Sequence, residues 1–366
     1  MRTVLFRLLI FALLVGSLVG AYACPSCMQM QPSLAEEFEY ATAVAIAEPV
    51  KPGGNRYRIV RVLRGKLEPG RVVVAAVSAF RKPVFLATTQ SEGSPIWSGQ
   101  PSSAESGRVV EFAEAVLRLP ARKPGTTSHP RRLDFFASYL GDPEKAIADS
   151  AYAELAAAPY LQLRGYSRRL GQARLRAWLE AKETPEEYRS LYYTMLSQTA
   201  GPSEAAWLKQ RALASLRQSP TGSQPALLFA YAQVAGQPAL TVIRDKFLSG
   251  DLTQRTMAVQ SLRVLAAENT RMRPAILPLL HSQLRDVRLA GGLFRDLALW
   301  KDWSCADRIY QIMLDKETYS YLRMSALRYL VSCPRADVQA RLKKMRSHPP
   351  DWCPSWPAPY SPKEVP

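Results

Sequence analysis

The sequence predicts a multi-domain, mainly α-helical protein in which a small antiparallel β module precedes an α-α superhelix. Three features of the 366-residue chain support this prediction. Short runs of β-branched residues between glycines and prolines occupy residues 33–100, which is typical of an antiparallel sheet or a small barrel. From Val109 onward the apolar residues recur at helical spacing, and similar helices then return every 33–35 residues.

The β module contains four predicted strands. They cover residues 40–47, 57–63, 72–77 and 83–89, and Gly, Pro or Asn residues separate them. The stretch 91–106 is rich in Gly, Ser and Pro, so we predict a loop that leads into the helical domain.

Helix start signals divide the rest of the chain. Asp142 followed by Pro143 is typical of an N-cap with proline at the first helical position. Thr184 and Glu187 have the spacing of a capping box, and Asp251 predicts a further N-cap. One-sided apolar stripes within these helices include Ile147, Ala151 and Leu155.

An arginine-led unit recurs through the helical domain. Arg255, Arg288 and Arg323 are 33 and 35 residues apart, and Arg189 lies 66 residues before Arg255. Each arginine is followed closely by a small residue. A period of this size corresponds to one helical hairpin, and such hairpins bury their apolar faces only by stacking on one another.

One segment of these helices has a recognisable pattern. Leu-Gly-Asp-Pro at 140–143 precedes a small-residue face that includes Ala148 and Ala151, as in the second helix of a HEAT repeat. The resemblance to HEAT-like solenoids covers residues 133–347 and departs from the pattern at 218–237, where Pro and Gly are frequent. HEAT-like arrays are usually binding scaffolds, so the resemblance implies a protein partner and identifies no substrate.

The N-terminus has the pattern of an export signal. Arg2 and Arg7 precede an uncharged apolar run at 8–20, and the Ala-Tyr-Ala sequence at 21–23 is typical of a cleavage site. The run has 13 residues, whereas a membrane-spanning helix needs about 20, so an uncleaved anchor is the less favoured alternative. We expect an exported protein that is periplasmic, secreted or lipid-anchored at the cell envelope.

Cleavage at this site makes Cys24 the first mature residue and a candidate for lipidation. Cys24 and Cys27 form a Cys-x-x-Cys motif, which is also compatible with a structural disulfide or a redox dithiol. Because Cu(I) prefers sulfur ligands, these cysteines with Met28 and Met30 are candidate metal ligands as well. These alternatives remain open from the sequence.

The other cysteines lie in the helical part and the tail. Cys305 and Cys333 are 28 residues apart, about one helical hairpin, which makes them candidates for a disulfide between neighbouring helices. Two buried free thiols are the alternative. Five cysteines in an exported chain leave one unpaired, and lipidation of Cys24 accounts for the odd one.

The β module begins with Cys24 and Cys27 and continues with ATAVAIAEPV at 41–50 and YRIVRVLRGKL at 57–67. This start resembles the netrin and tissue-inhibitor-of-metalloproteinase type of OB barrel. The resemblance implies an OB-like barrel and, as an alternative function, a protease-inhibitor-like module. The inhibitors begin Cys-x-Cys and contain many more bridged cysteines, which this module lacks.

The chain is strongly basic, with a formal net charge of +17. Loss of Arg2 and Arg7 with the predicted signal leaves +15, because residues 1–23 contain no acid. This excess predicts attraction to acidic proteins or to an anionic cell-envelope surface, with a solvated basic face as the alternative. Candidate exposed cations at helical spacing are Arg164, Arg168, Arg169, Arg174 and Arg176.

No motif in the sequence specifies catalysis, a cofactor or nucleic-acid recognition. The expected parts are a signal peptide at 1–23, the β module at 24–104, helical repeats at 105–347 and a Pro-rich tail at 348–366. We therefore expect a non-catalytic scaffold that binds a protein or another anionic partner. A thiol-redox or copper-handling protein and a protease inhibitor are the alternatives.

The export prediction is tested by the intact mass of the mature protein in the membrane and soluble fractions. We expect a chain that starts at Cys24. A diacylglyceryl group on the membrane form would establish a lipid anchor, and an unmodified soluble form would exclude it. A chain that retains residues 1–23 would contradict the predicted cleavage.

Overall fold

The computed structural model describes residues 32–76, 82–89, 97–100, 104–121, 129–353 and 355–360. The predicted signal segment, with Cys24, Cys27, Met28 and Met30, lies outside the described residues. The predicted fold class is confirmed, since the chain is mainly helical with a small antiparallel sheet near its N-terminus. The chain divides into two compact units, one ending at Tyr166 and one continuing from Ser167.

The first unit contains a five-stranded antiparallel sheet. Its strands are β1 (Ala43–Pro49), β2 (Arg56–Arg64), β3 (Val72–Val74), β4 (Val84–Thr88) and β5 (Ser98–Gln100). Their spatial order is β3-β2-β1-β4-β5, and a parallel bridge between Ala75 and Trp97 brings the two edges of the sheet together. The sheet therefore curls into a half-barrel, and Tyr57, Ile59 and Trp97 fill its apolar interior.

The four predicted strands are present, with three differences from the prediction. Strand β3 ends at Val74, three residues before its predicted end. The first strand begins three residues late because a short helix, α1 (Leu34–Tyr40), precedes it. Ser33 starts α1 with a capping box, in which the Ser33 hydroxyl and the Glu36 carboxylate each accept from the other residue's backbone N–H. Strand β5 lies within the predicted loop, since Ser-Gly-Gln gives no β-propensity signal.

Helices α1 and α2 (Gly107–Leu117) cover part of the outer surface of the sheet. Helix α4 (Lys145–Ala156) packs against both of them, and α3 (Pro130–Ala137) packs against α4. The Phe38 ring of α1 packs against Phe85 of β4 at 5.6 Å. Arg64 of β2 donates to the carbonyls of Phe38 and Leu117 at 2.7 and 3.3 Å, so one side chain fastens the ends of α1 and α2 to the sheet.

A buried ion cluster joins the helices of this unit. Arg132 of α3 lies 2.8 Å from the carboxylate of Glu154 on α4 and 3.5 Å from that of Glu39 on α1. All three side chains are at least 97 % buried. The guanidinium also donates to the Pro120 carbonyl and lies over the Phe136 ring. Burial of these charges is tolerated because each is paired inside the cluster.

The second unit is built from stacked helices. Helix α5 (Tyr160–Leu170) contains the boundary between the units. The elements that follow are α6 (Gln172–Glu180), α7 (Glu186–Ser197), α8 (Pro202–Ser215), α9 (Gln224–Ala235), α10 (Gln237–Val242), a π-helical turn (Ile243–Phe247), α11 (Leu252–Glu268), α12 (Arg273–Gln283), α13 (Val287–Leu299), α14 (Ala306–Leu314), α15 (Ser320–Ser332) and α16 (Ala336–Ser347). Helices α7, α9, α11, α13 and α15 pack successively on one another, and α6, α8, α12, α14 and α16 pack alongside them. This arrangement is the two-layered stacking of an α-α repeat.

Two predicted helix starts are wrong, and one is confirmed. Helix α4 begins at Lys145, because the Asp142 carboxylate accepts from the Glu144 N–H in a turn and also pairs with Arg108. The predicted capping box at Thr184 is absent, since Pro185 occupies the N-cap of α7 with no side-chain bond. Asp251 caps α11 as predicted, accepting from the Gln254 N–H at 2.8 Å. At Asp142 the capping side chain is taken by a turn and an ion pair, whereas at Thr184 the helix starts one residue later, with Pro185 at the N-cap.

The tail packs back on the last helices. The ring of Trp352 lies under Arg323 at 4.3 Å, and the ring of Tyr360 lies under Arg328 at 4.4 Å. The Tyr360 N–H also donates to the Ser332 hydroxyl at 2.9 Å. Burial of these rings removes aromatic surface from water at the end of the repeat stack.

The buried ion cluster is tested by Arg132→Met, which leaves two carboxylates buried without their cation. We expect the free energy of unfolding to fall by about 3–5 kcal/mol. Arg131→Met, at the exposed neighbouring position, is the control and should change it by about 0.5 kcal/mol or less. Equal losses for the two variants, measured by denaturant unfolding, would show that the cluster contributes no specific stability.

Candidate functional site

Two of the four recurring arginines donate to the carbonyl ends of neighbouring helices. Arg189, in the first turn of α7, donates to the carbonyls of Leu179 and Ala181 at 3.4 and 3.1 Å, at the C-terminal end of α6. Arg323 of α15 donates to the Met313 carbonyl of α14 at 2.8 Å. The last carbonyls of a helix have no partner within the helix and carry partial negative charge, so a guanidinium from the next helix satisfies them.

The other two recurring arginines meet at one carboxylate. Arg255 of α11 lies 3.1 Å from Asp286 and donates to Gln283 at 3.0 Å, while Arg288 lies 2.6 Å from Asp286. Hydrogen bonding from Arg288, together with the charge of Arg255, lowers the pKa of Asp286 to about 2. The repeat therefore encodes contacts between helices, and these four arginines do not form a binding surface.

The predicted basic cluster divides into two groups. Arg164, Arg168, Arg169 and Arg174 are exposed. Arg176 is only partly exposed, and its guanidinium lies 3.1 Å from Glu180 and 3.4 Å from Glu204. The last member of the predicted cluster is therefore held in ion pairs within the protein.

Three arginines lie over two half-buried tryptophans on α6 and α8. The Arg174 guanidinium is 4.8 Å from the Trp178 ring, and Arg176 and Arg211 are 5.0 and 5.2 Å from the Trp207 ring. These separations are in the range of cation–π attraction. We refer to these five residues as the arginine–tryptophan cluster.

Surrounding contacts fix the positions of the two indoles. Trp178 packs on the Tyr192 ring of α7 at 4.8 Å, and the Trp207 indole N–H donates to the Glu180 carboxylate at 2.9 Å. Arg211 donates to the Tyr193 hydroxyl at 3.3 Å. With their positions fixed, the rings lose little side-chain freedom when another molecule packs on them.

The positive charges of the arginine–tryptophan cluster are partly neutralised by carboxylates and partly exposed. A hydrogen bond from Arg176, with help from the Trp207 N–H, lowers the pKa of Glu180. Burial raises the pKa of Tyr193, so this phenol stays neutral. Arg174, in contrast, is exposed and has no acidic side chain against it among the described residues. Its charge is available to a partner.

The described cysteines are free thiols. Cys305 is half-buried, and Cys333 and Cys353 are buried. Burial raises the pKa of Cys305 to about 11 and raises those of the other two, so all three remain protonated near neutral pH and are poor nucleophiles. In the described part of the chain, no group of three or more His, Cys, Asp or Glu side chains could hold a metal ion, and no helix is long and apolar enough to cross a membrane.

The tryptophans were missed in the sequence, although their spacing was visible. Arg174 and Trp178 are four residues apart, as are Trp207 and Arg211, which places each pair on one helical face. The contact of Arg176 with Trp207 joins different helices and could not be predicted without the fold. Nothing in the sequence indicates that Arg176 is ion-paired, whereas Arg174 is not paired with an acidic side chain among the described residues.

Comparison with known proteins identifies no relative. No protein-family model, curated protein or solved structure matches the chain significantly.

Proposed function

We propose that the helical unit is a non-catalytic scaffold that binds an acidic protein partner through the arginine–tryptophan cluster. The observation that supports this most directly is the exposed Arg174 lying over the half-buried Trp178. Tryptophan and arginine are enriched among the residues that dominate protein–protein binding energy. A rigid indole beneath an available cation offers both apolar contact and charge.

The charge of the surrounding segment favours an acidic partner. Residues 167–217 contain nine Lys and Arg against five Glu and no Asp. Part of this positive charge is neutralised by ion pairs such as Arg176 with Glu180, but Arg168 and Arg174 are exposed. A surplus of one sign at a surface accelerates encounter with oppositely charged partners and disfavours partners of the same charge.

The two-layered helix stacking supports the assignment of this unit to HEAT-like solenoids, whose role as scaffolds the proposal adopts. An exported location is part of the same proposal and is supported by the N-terminal signal pattern. The netrin-like character of the half-barrel is part of the same proposal and is supported by its strand order and by the parallel contact between Ala75 and Trp97. OB barrels are five-stranded, partly open barrels of this kind.

The proposal is tested with fluorescent poly-L-glutamate as the acidic probe. The double variant Arg168→Gln with Arg174→Gln should weaken binding roughly fivefold to tenfold, because a partly exposed charge pair contributes up to about 1 kcal/mol. Binding by the unaltered protein should weaken as salt concentration rises, since salt screens exposed charges.

The matched control is Lys343→Gln with Lys344→Gln, which removes the same charge from exposed positions on α16. This control should bind the probe nearly as well as the unaltered protein. Equal weakening in both double variants would mean that net charge alone governs binding. That result would remove the arginine–tryptophan cluster from the proposal.

A further inference from the structure

One part of the sheet in the first unit has no helix over its outer surface. On the neighbouring strands, outward-facing residues such as Val44, Ile46 and Phe85 are at least 92 % buried. Beyond them, Val60 of β2 and Val72 and Val74 of β3 are 48, 37 and 57 % exposed. The helices that shield β1, β4 and the C-terminal end of β2 therefore leave open the outer surface of β3 and of the first half of β2.

The register of the two strands places basic and apolar side chains together on this open surface. Arg56 is paired with Val74, and Arg58 is paired with Val72. Val60 follows Arg58 by two residues, so it points to the same side of the sheet. We call these five residues the valine–arginine face.

The opposite side of the same strands is the interior of the half-barrel. Tyr57, Ile59 and Val73, which alternate with the residues of the valine–arginine face, are at least 92 % buried. The core-facing side of these strands is therefore already filled by other residues, and the exposed valines belong to the outer side. A one-residue shift would bury the arginines and expose the tyrosine, so the pattern fixes the register.

The charges at this face are predominantly positive. The cross-strand neighbour of Arg58 on β1 is Glu48, which offsets one cation. Exposed Lys51 follows β1, and exposed Lys66 follows β2. Exposed Glu68 lies in the turn before β3. An apolar strip bordered by more cations than acids is complementary to a surface that has an apolar interior beneath anionic groups.

We propose that the valine–arginine face docks on an anionic lipid bilayer. The three valines enter the boundary between headgroups and acyl chains, and Arg56 and Arg58 reach lipid phosphates while their aliphatic stems stay in apolar contact. Clusters of exposed apolar residues on soluble domains mark such interaction sites, whereas isolated ones need no explanation. A bilayer suits this face because its exposed valines and arginines lie side by side on one strand surface.

The candidate lipidation site, Cys24, lies close in sequence to the β module. Cys24 lies eight residues before Pro32, so the intervening chain spans at most about 28 Å. If Cys24 carries the predicted diacylglyceryl anchor, that anchor holds the chain at the membrane by itself, and the valine–arginine face adds a second contact with the same surface. The face itself does not depend on the acidic partner of the helical unit.

The test measures co-sedimentation of the processed full-length protein with vesicles, in a Cys24→Ser background that removes any acyl anchor. Vesicles of phosphatidylcholine with phosphatidylglycerol are compared with phosphatidylcholine alone. We expect binding to the anionic vesicles only. Val60→Thr, Val72→Thr and Val74→Thr together should reduce partitioning into the vesicles at least tenfold, because the added hydroxyls make apolar contact with the acyl chains unfavourable. The branched shape of threonine preserves the strands. Arg56→Gln with Arg58→Gln should reduce it by roughly fivefold per charge.

The control Leu161→Gln removes an exposed apolar side chain elsewhere in the unit, 73 % exposed on α5, and should leave vesicle binding unchanged. Thermal unfolding of each variant establishes that it is folded. Unchanged vesicle binding by the triple threonine variant, or equal binding to both vesicle types, would overturn the proposal. Polyglutamate binding should survive in these variants, so a failure here is distinguishable from a failure of the scaffold proposal.

Discussion

The helical part of this protein depends on arginine side chains that satisfy the carbonyl ends of neighbouring helices. Arg189 and Arg211 both donate to the end of α6, and Arg323 donates to the end of α14. Arg273 donates to the Ala266 carbonyl near the end of α11 at 2.8 Å. Because helix ends leave carbonyls unpaired, each such bond replaces water with a charged donor and fixes one helix against the next.

Because many arginines are bound in this way, the net charge exceeds the charge that is available to a partner. Many guanidinium groups neutralise helix ends or carboxylates inside the protein and are not available to a partner. In the first unit, Arg132 has the same role in a more buried form, since it pairs with Glu39 and Glu154 and also donates to the Pro120 carbonyl. The cations that can act on other molecules are a smaller group, and Arg174 and Arg56 are examples on the two units.

The arginines that remain available are found beside apolar surface. Arg174 lies over Trp178, and Arg56 is paired across the strands with the exposed Val74. A cation next to an apolar group favours partners that offer negative charge and apolar contact together, whereas isolated surface charges bind any anion weakly. The two surfaces differ in geometry, because rigid indoles suit a protein partner and a strand surface suits a bilayer.

Much of the fold follows from the sequence, because its strongest signals are local. β-branched runs predicted β1 to β4, and the spacing of Arg189, Arg255, Arg288 and Arg323 predicted the helical repeat. Strand β5 was missed, since tertiary pairing and not local propensity makes Ser-Gly-Gln a strand. The capping prediction at Asp142 failed for a related reason, because its carboxylate pairs with Arg108.

The candidate site was predicted less well than the fold. The role of each arginine depends on which carbonyl or ring lies opposite it, and this depends on contacts between helices that the sequence does not state. Arg176 and Arg174 are two residues apart on α6, yet one is held between carboxylates and the other is available.

The account is tested most directly by comparing the free energies of unfolding of Arg189→Met and Arg174→Met. Both variants lose one charge and keep most of the apolar stem. Arg189→Met should lose about 2–3 kcal/mol, because it leaves the α6 carbonyls unsatisfied and removes charged hydrogen bonds. Arg174→Met should lose less than about 1 kcal/mol, the contribution of an exposed cation–π contact. Equal losses, or a smaller loss for Arg189→Met, would contradict the claim that arginines bound to helix-end carbonyls hold neighbouring helices together.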